Sequence, residues 1–103
     1  MSYKDLQKDD RILEIVKYLF DKFGDDCFKI RDYWDADLFA IGLSDNSEKY
    51  LFYISTYNKQ EDHYFISLEN TTSGDDFPYE SVGDFDEVKL NELERLFKQH
   101  LRI

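Results

Sequence analysis

The chain has 103 residues, a formal net charge of −10, one cysteine and an aromatic content of 17%. Its length suits a single domain, 1–103, and its aromatic content excludes a disordered chain, since disordered chains of high charge are poor in aromatic residues. A lone cysteine, Cys27, excludes an internal disulfide and predicts a reducing, cytoplasmic location. No apolar run has the length of a bilayer-spanning helix, and the polar start MSYKDLQKDD does not fit a signal peptide. We therefore expect a soluble protein.

The first predicted element is an amphipathic helix over residues 5–23. Apolar residues recur there at three- and four-residue spacing, and Gly24 follows as a stop signal. The apolar stripe consists of Ile12, Val16, Leu19, Phe20 and Phe23. A short strand is expected over residues 27–31, followed over residues 32–35 by either a turn or an early part of the meander described next.

Residues 35–69 predict an antiparallel meander, because three runs rich in aromatic and β-branched residues are separated by two polar loops. Matching the alternation of neighbouring strands gives a register in which one face is continuously apolar. This register predicts the cross-strand pairs Leu43–Tyr50, Ile41–Phe52, Ile54–Ile66 and Phe52–Leu68.

The opposite face of the meander is half aromatic, whereas an antiparallel sheet usually presents a polar face to water. Its residues are Leu38, Ala40, Leu51, Tyr53, Tyr57, His63 and Phe65, mixed with Ser55 and Ser67. Two explanations remain open: another segment of this chain covers the face, or another protein does.

Residues 70–83 predict a long ordered loop, with a further edge strand near residues 79–82. A second amphipathic helix is expected from about residue 87 to the end, with Asp84 or Asp86 as its N-terminal cap. We therefore predict an α+β fold of the order α-β-β-β-β-α. Both terminal helices are expected on one face of an antiparallel meander sheet of four to five strands.

Most of the negative charge lies in the middle of the chain. Residues 25–88 carry sixteen acidic and four basic side chains, a net charge of −12, whereas residues 1–24 are neutral and residues 89–103 sum to +2. Solubility alone would explain an excess of charge but does not predict its confinement to one layer. An acidic surface repels nucleic acids and anionic membranes, so we expect neither as a partner and favour a basic protein.

The sequence contains no pattern typical of an enzyme. Two histidines and one cysteine are too few for a zinc site, and the pairs Asp25-Asp26 and Asp75-Asp76 lack the alternating oxygen ligands of a calcium loop. No glycine-rich loop precedes a helix to hold a phosphate. We therefore expect no catalytic residues, no metal and no cofactor.

A small acidic domain with helices flanking an aromatic antiparallel sheet resembles the immunity proteins of bacterial polymorphic toxin systems, especially those of contact-dependent growth inhibition. The resemblance covers the whole chain and includes no shared motif. It implies a protein that binds a cognate toxin domain, often a DNase or tRNase, and covers its active site. We expect the free protein to be a monomer.

The residues expected to bind the toxin combine acidic side chains, which attract a basic surface, with aromatic anchors. They are Tyr33, Asp35, Asp37, Tyr53, Tyr57, Asp62, His63, Asp75, Asp76, Tyr79 and Glu80. The only tryptophan, Trp34, is expected in the core. Two alternatives remain. One is an acidic interaction module, such as a nucleic-acid mimic or an adaptor for another basic protein. The other is a small-molecule binder with a pocket between sheet and helices.

Overall fold

The computed structural model describes residues 7–32, 36–71 and 79–103. Within these ranges, two helices flank five strands: α1 (Asp10–Phe23), β1 (Lys29–Ile30), β2 (Ala40–Ser44), β3 (Tyr50–Ser55), β4 (Tyr64–Thr71), β5 (Tyr79–Val88) and α2 (Leu90–Leu101). The strands form one antiparallel sheet in the order β1-β2-β3-β4-β5. The predicted α+β class, with a meander between terminal helices, is therefore confirmed, and the sheet has five strands.

Helix α1 begins later than the periodicity predicts. The Asp9 carboxylate caps it by accepting a hydrogen bond from the Arg11 backbone N–H at 3.2 Å, so residues 7–9 are not helical. Its end is at Gly24, whose φ of 93° suits a residue without a side chain.

The described ranges contain two helices, α1 and α2, and neither is long and apolar enough to cross a membrane.

The predicted core face of the sheet is confirmed. Ile54 pairs with Ile66, and Phe52 pairs with Leu68, as the alternation predicted. Phe52 is fully buried and belongs to one core cluster with residues of both helices. Both helices therefore pack on this face of the sheet.

An aromatic cluster links helix α2 to the sheet. The ring centroid of Phe97 lies 4.9 Å from that of Phe28 and 5.1 Å from that of Phe52, and both pairs are edge-to-face. Such pairs contribute about 0.5–1.5 kcal/mol beyond the burial of their surface. Phe97 is fully buried, so it holds α2 against the strands.

The predicted register between β2 and β3 is wrong by two residues, since Leu43 pairs with Phe52 and not with Tyr50. The Asp45 side chain explains the difference. Its carboxylate accepts hydrogen bonds from the backbone N–H of Ser47 at 3.2 Å and of Tyr50 at 2.9 Å, which closes the turn between Asp45 and Tyr50. A shift of two residues leaves every side chain on its original face, so the predicted apolar face was still correct.

Strand β5 differs most from the prediction. It has ten residues and continues to Val88, where a long loop and a short edge strand were expected. Asp84 and Asp86 lie within this strand and therefore do not cap α2. Helix α2 instead begins at Leu90 after Lys89, without a side-chain cap. Most of β5 is exposed, so its sequence has little of the apolar alternation that reveals a strand.

Candidate protein-binding surface

The sheet face opposite the helices is buried in one part and open in another. Ala40 and Leu51 are fully buried there, whereas Tyr53 and Phe65 are half-buried. The rings of Tyr53 and Phe65 lie edge-to-face with centroids 6.1 Å apart. This aromatic pair therefore has surface available beside the last two strands.

A depression of about 220 Å³ lies next to this pair, and we call it the acidic pocket. Strands β3, β4 and β5 supply its lining residues, which are Tyr53, Phe65, Ser67, Glu69, Ser81 and Asp84. The pocket thus combines two aromatic rings, three hydroxyls and two carboxylates. Tyr53 is the only one of these residues that the sequence identified as a candidate.

Glu69 is the buried charge of the acidic pocket, with 7% of its surface exposed. Burial raises the pKa of its carboxyl, the nearby charge of Asp84 raises it further, and a hydrogen bond with Ser67 acts in the opposite direction. In the described part of the chain, no ion pair includes Glu69 or Asp84. Buried carboxylates are normally paired with a cation, so the negative charge of this pocket is uncompensated by the described residues.

The hydrogen bonds inside the pocket leave it short of donors. Ser67 Oγ and Ser81 Oγ donate to Asp84 Oδ1 at 2.7 and 2.8 Å. A hydroxyl has one proton, so Ser67 cannot donate to Asp84 and to Glu69 at the same time. The two serine hydroxyl protons therefore face four carboxylate oxygens, and an additional donor from outside would satisfy the remaining acceptors.

The pocket lies in the most acidic part of the sheet. Strands β4 and β5 contain no basic residue and five acidic ones, which are Glu69, Glu80, Asp84, Asp86 and Glu87. Lys59 pairs with Asp86 and, at 3.2 Å, with Glu87. The other three carboxylates have no ion pair among the residues that the structure describes.

Exposed apolar side chains lie at one end of the sheet, where β2 begins and β3 ends. We call Leu38, Phe39 and Tyr57 the aromatic end; all three are exposed, Tyr57 to 68%. The Phe39 and Tyr57 rings pack edge-to-face with centroids 5.9 Å apart. Tyr57 was a predicted contact residue, whereas Leu38 and Phe39 were not.

Arg11 of α1 holds the loop between β3 and β4 that follows Tyr57. Its guanidinium donates hydrogen bonds to four backbone carbonyl groups, those of Lys59 at 3.0 Å, Gln60 at 2.6 Å, Glu61 at 2.8 Å and His63 at 3.0 Å. Loop carbonyls otherwise depend on water or on turn hydrogen bonds. The Arg11 clamp therefore positions the loop beside the aromatic end.

Two predicted contact residues serve the fold. Tyr79 is buried, and its hydroxyl donates to the carbonyl of Glu48 at 2.8 Å, so it offers little surface to a partner. The half-buried Asp37 accepts a hydrogen bond from the Phe39 backbone N–H at 2.9 Å and so shapes the turn that exposes Phe39.

The other predicted contact residues are dispersed. Asp62 and Glu80 are exposed, while His63 is half-buried with its Nδ1 3.0 Å from a carboxylate oxygen of Asp62. The remaining predictions fall on residues outside the described ranges: Tyr33, Asp35, Asp75, Asp76 and the expected core residue Trp34.

A larger groove of about 450 Å³ lies on the helix side, between α2 and β5. Its charged and titratable lining residues are Arg95, His100 and Arg102, and the Arg102 guanidinium lies 4.7 Å from the centroid of the Tyr50 ring. This is the place between sheet and helices that a small-molecule binder would use. Its charge is opposite to that of the acidic pocket, so it does not suit a basic partner.

Within the described ranges, no three histidine, cysteine, aspartate or glutamate side chains are close enough together to hold a metal ion. The described surface has two candidate regions for a partner, the acidic pocket and the aromatic end. A comparison with protein-family models gave no match, and comparisons with curated proteins and solved structures gave none either.

Proposed function

We propose that this protein binds and inhibits a basic protein, namely a nuclease toxin domain, in the manner of the immunity proteins that it resembles. One observation carries the proposal: β4 and β5 carry five acidic and no basic side chains, around a pocket whose buried Glu69 has no cationic partner in the described chain. Nucleases hold phosphate groups with basic surfaces, and an acidic sheet would cover such a surface. We place this inhibition in the cytoplasm, where the cell's own nucleic acids are.

The two parts of the surface would contribute differently to binding. Exposed carboxylates such as Glu80 and Asp84 act at long range and raise the rate of association, which falls as salt screens their field. Aromatic side chains such as Tyr57 and Tyr53 supply rigid contact area, which slows dissociation. An adaptor for another basic protein would use the same surface, and the activity of the partner distinguishes the two functions.

Co-expression with the product of the gene immediately upstream tests the proposal. We expect that product to be toxic alone, to lose its toxicity in the presence of this protein, and to form a complex with it. The association rate should fall markedly between low and physiological salt. An upstream product that is harmless, or that does not bind this protein, would refute the immunity function.

A further inference from the structure

We propose that the acidic pocket receives an arginine side chain from the partner protein. The identity of that partner rests on the proposed function, whereas the chemistry of the pocket does not. The acidic pocket is lined by Tyr53, Phe65, Ser67, Glu69, Ser81 and Asp84.

Among the described residues, the pocket has no cationic side chain, and its serine hydroxyls are too few to satisfy its carboxylate oxygens. Glu69 is 93% buried, in a sheet region with no basic side chain of its own. Asp84 already accepts bonds from two serine hydroxyls at one oxygen, which leaves its second oxygen and those of Glu69 for another donor. A cationic group with several N–H donors would meet both needs at once.

The aromatic side chains distinguish arginine from other cations. A guanidinium is planar, carries five N–H donors and is weakly hydrated, so it stacks on aromatic rings and pairs with carboxylates through two bonds. Tyr53 and Phe65 supply such rings next to the two carboxylates. A lysine ammonium is more strongly hydrated than a guanidinium, so it loses more hydration free energy when it enters the pocket.

A divalent metal ion fits the same cavity poorly. Calcium takes six to eight oxygen ligands, and magnesium requires a near-octahedral set. The pocket offers two carboxylates and three hydroxyls, and no three metal-ligating acidic, histidine or cysteine side chains cluster in the described ranges. The aromatic rings cannot ligate a hard cation.

The depth of the two carboxylates indicates how the side chain would enter. Asp84 and Ser81 are exposed at the β5 side of the pocket, whereas Glu69 and Ser67 are buried. The guanidinium would therefore pass Asp84 and reach Glu69, with its aliphatic part lying against the aromatic rings. In the complex, this contact would replace water around one arginine at the edge of the nuclease surface.

An NMR titration of the isotope-labelled protein with N-acetyl-arginine amide tests the pocket directly. We expect saturable shifts of the backbone amides of Ser67, Glu69 and Asp84, in the millimolar range. N-acetyl-citrulline amide has nearly the same shape without the charge, and it should produce no saturable shift. N-acetyl-lysine amide should bind at least several-fold more weakly than the arginine compound.

Two variants assign the contact to the two carboxylates. Glu69→Gln and Asp84→Asn should each weaken binding of the arginine compound about tenfold, since each removes one charged partner. Glu14→Gln removes one exposed charge from α1, outside the pocket, and should leave the affinity unchanged. A thermal melt of each variant shows that the fold is intact.

Equal binding of citrulline or lysine compounds, or an unchanged affinity of both pocket variants, would overturn the proposal. The pocket proposal and the proposed function can fail independently of each other. If the toxin binds the Glu69→Gln and Asp84→Asn variants as tightly as the original protein, the pocket proposal fails while the inhibitory function stands. If arginine binds as expected and the upstream product does not, the pocket stands and the immunity function fails.

Discussion

The Arg11 clamp leads to a quantitative prediction for the variant Arg11→Gln. One nitrogen of its guanidinium, Nη1, donates to one carbonyl oxygen, while Nη2 lies within hydrogen-bond distance of three. Since Nη2 has two protons, at most three of the four bonds have full strength at one time. A hydrogen bond to a charged group contributes about 1.5–3 kcal/mol, and exposed ones contribute less. Two of the four contacts are exposed, so we expect a total loss of about 2–3 kcal/mol.

Urea denaturation measures this loss, because a lower midpoint at an unchanged slope reports a change in stability. The matched control is Arg95→Gln, which removes an exposed arginine whose partner Glu92 lies three residues away on α2, and it should leave the urea midpoint nearly unchanged. Hydrogen exchange should accelerate at the backbone amides of Lys59 and His63 only in the Arg11 variant, since these amides bond within the clamped loop. If Arg11→Gln costs no more than Arg95→Gln, the clamp does not stabilise the loop.

Three further predictions concern the core and the candidate surface. Phe97→Ala removes the fully buried ring of the aromatic cluster and should cost about 3–5 kcal/mol in urea denaturation, whereas Phe97→Leu should cost clearly less; equal losses would show that packing of the ring is unimportant. The raised pKa of Glu69 means that the folded protein binds the proton more tightly than the unfolded chain, so this group lowers stability as pH rises through the folded pKa. Glu69→Gln should therefore melt at a higher temperature than the original protein at pH 8, with the difference disappearing below about pH 4; a difference that is independent of pH would contradict this. Tyr57→Ala should change stability by less than about 0.5 kcal/mol, because the side chain is 68% exposed, yet should raise the dissociation rate of the proposed complex about 30-fold; an unchanged rate would remove Tyr57 from the interface.

Some features of this protein follow from the sequence alone. Side chains alternate strictly along a strand, so the opposite choice of face would have placed Tyr53 and Ser55 in the core instead of Phe52 and Ile54. This is why the core face and the β3–β4 register were predictable, and why an error of two residues at Asp45 left the face correct. The terminal helices were equally visible, because their apolar stripes must face the sheet.

The sequence predicted an edge strand only near residues 79–82, and tertiary structure decided that β5 extends to Val88 and what its side chains meet. An exposed strand is held by backbone hydrogen bonds to its neighbour, and these have no signature in the side chains. The pocket depends on that pairing, since Ser67 lies opposite Asp84 although seventeen positions separate them. The alternation of side chains along β4 places Glu69 on the same face as Phe65. The burial of Glu69 beside a second carboxylate depends on the register between β4 and β5. The Arg11 clamp likewise joins residues about fifty positions apart, through carbonyl groups that every sequence possesses.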